Sequence, residues 1–324
     1  MEEPKTHPVA GIDYPGTFQE FDEWFNSDDA CLDYIAKLRW PEGFCCPNCG
    51  DITDKPSLMA QGLFLCRKCK RQTSVTAGTL FHKTHKPLRT WFFAMWFVTS
   101  QKHGTSALGL KRVLGLGSYN TAWTWLHKLR RAMVRPGRDQ LTGVIEIDET
   151  YVGGVGVKVR GRGATRKTIV AIAAEVRGSS PGRIRMSIIS DVSSKSLHGF
   201  ILNNVQKGAA IRTDGWKGYN GIEAMGYRHI VTNLSDSGDP AHVVMPRVHR
   251  VASLLDRWWL GIHQGAIRPS HLKYYLDEFT FRFNRRTSRA RGLLFYRLME
   301  RAVDCSPVPR QMIVGGHPLY VVDG

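Results

Sequence analysis

At 324 residues the chain is too long for one small core, and two or three domains are expected. Its 42% hydrophobic and 10% aromatic content excludes a disordered polymer, because that much apolar surface can close real cores. Forty-five Lys and Arg against 28 Asp and Glu leave a formal charge of +17, which argues for a polyanionic partner, nucleic acid first.

The N-terminal MEEPKTHPVAG has neither a basic nor an apolar signal region, so no secretory signal is expected. The most apolar run, WFFAMWFV at 91–98, falls far short of the roughly 20 residues a bilayer span needs, so a soluble chain with no membrane partner is expected. Residues 17–38 read as helices, with Thr17 and Ser27 as N-caps. Pro41 and Gly43 then break the pattern. Next come Cys46-Pro-Asn-Cys49 and Cys66-Arg-Lys-Cys69, with 16 residues between the pairs. Two residues between cysteines let both thiolates of one turn reach one ion, and two such turns close a tetrahedral S4 shell suited to structural Zn²⁺. Cys45 is read as a bystander, Cys31 and Cys305 as buried thiols, and His82 and His85 as polar or phosphate-facing. A closed zinc shell has no open position for chemistry, so this segment is read as a binding module. Lys68, Lys70 and Arg71 give it a basic edge for phosphate contacts.

Residues 87–132 read as three helices separated by glycine turns. The last two, Ser106–Leu114 and Ser118–Arg131, have the layout of a helix-turn-helix, which is also the layout of an ordinary packing pair. MVRPGRDQ at 133–140 is a linker. Three β-branched runs follow, GVIEIDETYV, TIVAIAAEV and RIRMSIISDV. A helix (SSKSLHGFILNNV), a strand (AAIRTD), a helix (WKGYNGIEAMG), a strand (YRHIV) and the helix containing His249 complete a βββαβαβα order. The expected organisation is an N-terminal helical segment at 1–40, a zinc ribbon at 41–77 and a helical, HTH-like DNA-binding region at 78–139. An α/β catalytic domain at 140–300 and a C-terminal tail at 301–324 follow.

Asp148 and Asp214 each end an apolar strand-like run. If the first and fourth strands lie parallel and adjacent, both carboxylates reach the same end of the sheet. Two such groups repel unless protonated or bridged by divalent cations, and paired metal ions serve phosphodiester cleavage. Both aspartates could equally be turn caps. Neither a GxSxG elbow nor a GxxxxGK[ST] loop is present, so serine-hydrolase and NTPase chemistry lack support. Three basic clusters accompany the carboxylates: Lys158, Arg160 and Arg162 in a glycine-rich hairpin, Arg247 and Arg250 around His249, and Arg285 and Arg286 in FRFNRRTSRARG.

CRKCKRQTSVTAGTLFHKTHKPL, IEIDETYVGG, RTDGWKGYNG, MPRVHRVASLL and LDEFTFRFNRR, in this order, resemble the IS1595-family insertion-sequence transposases. These are zinc-ribbon proteins with an ISXO2-like catalytic domain. The resemblance implies an RNase H-like fold and DDE-type chemistry with Mg²⁺ or Mn²⁺. It makes Asp148 and Asp214 the first two catalytic metal ligands and puts His249 third, a position where the family varies among Glu, His and Asn. Asp256 stands where the family usually has a basic residue, with Arg257 beside it as a substitute. The implied partners are the element's terminal repeats and target DNA, bound as double strands by a homo-oligomer in the cytoplasm, on the nucleoid. The leading reading is a transposase that cuts element ends and transfers the strands. The alternative is a zinc-ribbon DNA-binding protein with an inactive nuclease domain, and a simple endonuclease is a third. For His249 three roles compete: a metal ligand, a base or DNA-contacting side chain, or a bystander with Asp256 as the third acid.

Overall fold

The computed structural model describes residues 7–53, 57–59, 62–135, 137–152, 167–232, 241–264 and 267–316. The chain divides into two compact units, Met1–Arg135 with Thr287–Gly324, and Pro136–Arg286. No helix among the described residues is long and apolar enough to cross a membrane.

The first unit begins with helices Phe18–Trp24 and Asp28–Arg39. Thr17 Oγ1 accepts from the Glu20 amide and Ser27 Oγ from the Ala30 amide, each at 3.2 Å, so both helices start at the expected caps. The ribbon contributes β1 (Phe44–Cys45) paired antiparallel with β2 (Ile52–Thr53). A three-stranded antiparallel sheet follows, of β3 (Ser57–Met59), β4 (Leu63–Leu65) and β5 (Gln72–Ser74). Helices Leu88–Ser100, Ala107–Val113 and Tyr119–Ala132 come next. Ser106 and Ser118 cap the second and third, and Gly115 between them takes φ +61°, a left-handed turn that favours glycine.

Phe21, Phe25, Tyr34 and Phe92 pack around Phe295, which is fully buried. Phe295 belongs to helix Arg291–Asp304, whose Leu298 and Met299 are also buried. The second unit ends at Arg286, short of residue 300, and residues 301–316 fold with the first unit. The returning helix supplies apolar side chains that the short N-terminal helices need to close a core.

The second unit is a five-stranded sheet in the order β10-β9-β6-β7-β8. Its strands are β6 (Val144–Val152), β7 (Thr168–Arg177), β8 (Ser180–Ile189), β9 (Ala210–Thr213) and β10 (Arg228–Val231). β6, β7 and β8 run antiparallel, β9 is parallel to β6, and β10 is parallel to β9. Both faces are covered. Ile145, Ile147, Ala171 and Ile211 meet Leu197 and Ile201 of helix Ser194–Asn204 on one side. On the other, Val170, Ile172 and Ile184 meet Val248, Val251 and Leu255 of helix Pro246–His263 and Phe279 of helix Leu272–Asn284. Two covered faces explain why β7 reads as a continuous apolar run instead of an alternation.

The expected helix over WKGYNGIEAMG does not form. Only two short 3-10 turns appear, Lys217–Tyr219 and Glu223–Met225, because Gly221 at φ +89° interrupts the segment, while Gly215 and Gly226 at +81° and +91° bound it.

Gly292 opens the returning helix where a Cβ would lie 1.8 Å from the Pro15 carbonyl oxygen and 2.8 Å from the Tyr14 ring. Gly292→Ala is expected to destabilise this unit by about 1–3 kcal/mol, the usual cost of forced overpacking. Differential scanning calorimetry should show that loss in one transition; an unchanged thermogram would mean that the helix does not close this core.

Candidate active site

The parallel register of β6 and β9 pairs Val144 with Ala210, Ile145 with Ile211 and Glu146 with Arg212. Two residues farther along each chain come Asp148, within β6, and Asp214, just past the end of β9. Partners in register share a face, and side chains repeat their face every second residue, so the two carboxylates leave the same end and side of the sheet. Asp148 Oδ1 accepts from the Glu149 amide at 2.9 Å, and Asp214 Oδ1 from the Trp216 amide at 3.0 Å. Asp214 thus caps its turn, two residues past the last registered pair of β6 and β9.

The helix Pro246–His263 packs on this same face through Val248 and Val251. His249, in its first turn, brings Nδ1 to 3.7 Å from Asp148 Oδ2, with both side chains about a quarter exposed (26% and 23%). Asp256 lies seven residues on, roughly 10 Å along the helix axis, and its side chain is exposed. The structure therefore brings His249, not Asp256, to Asp148.

Glu149 and Tyr219 were not singled out by sequence. Glu149 follows Asp148 directly, so it points to the opposite face, where the Tyr219 hydroxyl donates to its Oε1. Tyr219 is fully buried. Its phenol is pushed well above the usual range by burial first, then by the negative charges of Glu149, Asp148 and Asp214. It therefore serves as a neutral donor and not as a base. The alternation of β6 could have flagged Glu149; nothing local could have flagged Tyr219, which reaches it through a 3-10 turn.

In the ribbon, the amides of Gly50 and Lys70 donate to the carbonyls of Cys46 and Cys66 at 2.8 and 2.9 Å. The amides of Cys46 and Cys66 in turn donate to the carbonyls of Asp51 and Arg71, both at 2.9 Å. Each CxxC is thus the same turn, ending on a left-handed residue, Gly50 or Lys70. The sulfurs of Cys46, Cys49, Cys66 and Cys69 all lie within 4.8 Å of one another. Cys46 to Cys69 is 3.7 Å and Cys49 to Cys66 is 3.6 Å. A tetrahedron with Zn–S bonds of about 2.3 Å has edges of about 3.8 Å, so the donor set fits Zn²⁺. Cys45 stays outside it. Among the described residues this is the one group of His, Cys, Asp or Glu ligands drawn that close. His82 Nδ1 instead accepts from the Gly78 amide at 3.2 Å.

The basic residues divide into two kinds. Lys68 and Lys70 are exposed, Lys68 at 3.7 Å from Asp51, and Arg71 donates to Asn48 Oδ1 at 2.6 Å. Arg250 and Arg257 are exposed on the His249 helix. Arg247, by contrast, is engaged by Glu146 and the Gly178 carbonyl. Arg286 donates to the Gly182 and Phe283 carbonyls at 3.3 and 2.9 Å, and Arg285 to Phe281 at 3.3 Å while covering its ring. Lys158, Arg160 and Arg162 lie outside the described residues.

Residues 140–284 match the ISXO2-like transposase domain, and residues 26–72 the transposase zinc-ribbon domain. An uncharacterized protein in transposable element ISH50 of Halobacterium salinarum is 28% identical over 280 residues, which are 80% of this chain and 91% of that one. A cryo-EM structure of a simian T-cell lymphotropic virus intasome, in complex with PP2A regulatory subunit B56 gamma, aligns with 13% identity and a TM-score of 0.29. It spans 57% of this chain and 65% of that one, and that likeness is too slight to carry a fold argument.

Cys46→Ser or Cys69→Ser should reduce bound zinc to near zero in elemental analysis, because a structural zinc supplies much of the folding free energy of so small a sheet. The second unit's melting transition should remain. Full zinc retention in both variants would contradict the four-thiolate assignment.

Proposed function

The chain carries both domains of the IS1595 transposases, their zinc ribbon followed by their ISXO2-like domain, and from that premise we propose that it binds the ends of an insertion sequence, cuts them and joins them to target DNA. The observation that carries this reading is that Asp148 and Asp214 follow paired residues of a parallel strand pair at the same end, with His249 at 3.7 Å from Asp148. The sheet order, with three antiparallel strands followed by two parallel ones, supports an RNase H-like catalytic domain.

Asp148, Asp214 and His249 would hold Mg²⁺ or Mn²⁺. The 3.7 Å between Asp148 Oδ2 and His249 Nδ1 lies within the span of two ligands each about 2.1 Å from one ion. Such ions supply charge neutralisation and a more acidic attacking hydroxyl. In the first step water attacks a phosphorus at the element end and the 3′-oxygen leaves with a proton. In the second that 3′-hydroxyl attacks a target phosphorus, forming a new P–O bond while the target's own 3′-oxygen departs. Tyr219 satisfies the Glu149 carboxylate on the face opposite the site through its hydrogen bond. The exposed Lys68, Lys70, Arg250 and Arg257, with Arg71, are the side chains best placed to contact phosphates. We read the helix pair Ala107–Val113 and Tyr119–Ala132 as a DNA-docking element of helix-turn-helix kind. Joining two element ends calls for a homo-oligomer on the DNA, acting in the cytoplasm where the nucleoid lies.

One observation favours the alternative, a DNA-binding protein with an inactive nuclease domain. A protonated His249 at 3.7 Å from Asp148 would be an ion pair that needs no metal. A cleavage assay separates the two. With labelled element ends and Mn²⁺, Asp148→Ala and Asp214→Ala should each lose more than about 100-fold in rate, the upper cost of losing even an outer partner of a metal. End binding should hardly change. His249→Ala should be similarly inactive, His249→Glu should retain cleavage and shift its preference from Mn²⁺ toward Mg²⁺, and Asp256→Ala should keep its activity. Metal-dependent cleavage that survives Asp148→Ala would refute the proposal.

A further inference from the structure

We propose that Glu146 is a positioning residue that sets the three candidate metal ligands relative to one another, an inference that rests on the catalytic reading of Asp148, Asp214 and His249. Glu146 lies on β6 two residues before Asp148 and is fully buried. Its Oε2 accepts from the amides of Arg247 and Val248 at 2.7 and 3.0 Å. These are amides in the first turn of helix Pro246–His263, whose N-cap, Met245, offers no side-chain hydrogen bond. The strand carboxylate therefore supplies the cap that the helix lacks, where the helix dipole favours negative charge. Its Oε1 faces two guanidinium groups, Arg247 at 3.4 Å and Arg212 at 3.7 Å.

The sequence offsets show what this arrangement does. Glu146 precedes Asp148 by two residues, Arg212 precedes Asp214 by two, and Arg247 precedes His249 by two. Each of the three elements thus contributes one member to the buried cluster and, two residues on, one candidate ligand. On the strands an offset of two preserves the face. On the helix the capped Val248 amide immediately precedes His249. Displacing the helix start from Glu146 would move the imidazole away from Asp148 before it disturbed the sheet.

In Glu146→Gln the side chain keeps its shape, but an amide NH₂ now faces backbone N–H groups or guanidinium groups, donor against donor. Arg247→Pro removes one amide donor, along with the guanidinium, from the helix side; proline is tolerated in a first turn. We would compare the full chain and both variants by amide hydrogen exchange, Mn²⁺ binding by electron paramagnetic resonance, and Mn²⁺ titration of cleavage. Amides 247–250 in Glu146→Gln, and 248–250 in Arg247→Pro, should exchange at least about tenfold faster, and both the Mn²⁺ dissociation constant and the half-saturating Mn²⁺ should rise by about tenfold. Cleavage at saturating Mn²⁺ and affinity for element ends should stay within about threefold. A merely structural role would lower the melting temperature without moving the Mn²⁺ dependence. Unchanged exchange and Mn²⁺ dependence in both variants, with Asp148→Ala inactive, would overturn the positioning role and leave the catalytic reading intact. Wild-type cleavage by Asp148→Ala would instead remove the catalytic reading, and with it the ligands that Glu146 is proposed to set.

Discussion

The site depends on one hydrogen-bonded register, the parallel pairing of Val144 with Ala210, Ile145 with Ile211 and Glu146 with Arg212. A slip of one residue would turn Asp214 to the opposite face from Asp148 and bury it against helix Ser194–Asn204. The slip is opposed by the apolar order of the same strands, because Ile145, Ile147 and Ile211 all belong on that helix's side. Burial of branched side chains on one face thus fixes where the acids emerge on the other. Functional geometry is here a consequence of core packing.

The four-thiolate ribbon site and the proposed catalytic site are built on different principles. The ribbon holds its four sulfurs within 4.8 Å through short turns, each closed by its own backbone hydrogen bonds. Local chain geometry suffices there, which is why the spacing of the cysteines made the site legible. Asp148, Asp214 and His249 come from three elements separated by 66 and 35 residues. Uncompensated carboxylates repel at short range, so such a site has to be held together by groups outside it. The Arg212, Glu146 and Arg247 cluster beneath it is built to do that.

What could be read from sequence divides along the same line. The Thr17 and Ser27 caps and the strand runs are local signals, and the structure has them in place. The βββαβαβα order allowed the first and fourth strands to lie parallel and adjacent, and in the structure they do. WKGYNGIEAMG misled because its apolar spacing suits a helix, whereas Gly221 at positive φ decides otherwise. The return of Phe295 to the N-terminal core depends on contacts more than 250 residues apart in sequence, to which no window of periodicity is sensitive. Glu146 looked like one acid in a strand; only its partners on β9 and the His249 helix distinguish it.

The net charge of +17 needs the same correction. Counting cations treats each as available to phosphate, yet several arginines of the second unit are engaged within the protein. Arg183 holds Glu175 at 2.6 Å, Arg282 holds Glu278 at 2.8 Å, and Arg286 ties down the start of β8 through the carbonyls of Pro181 and Gly182. Arg247 is spent on Glu146. Arg250 and Arg257 differ in kind: one helical residue past His249 and two turns beyond it, they face solvent from the helix that carries the imidazole. A phosphate bound there would be held by the element that presents His249. Guanidinium groups that organise the site and those free to meet a polyanion thus lie on one helix, Arg247 turned inward and Arg250 outward.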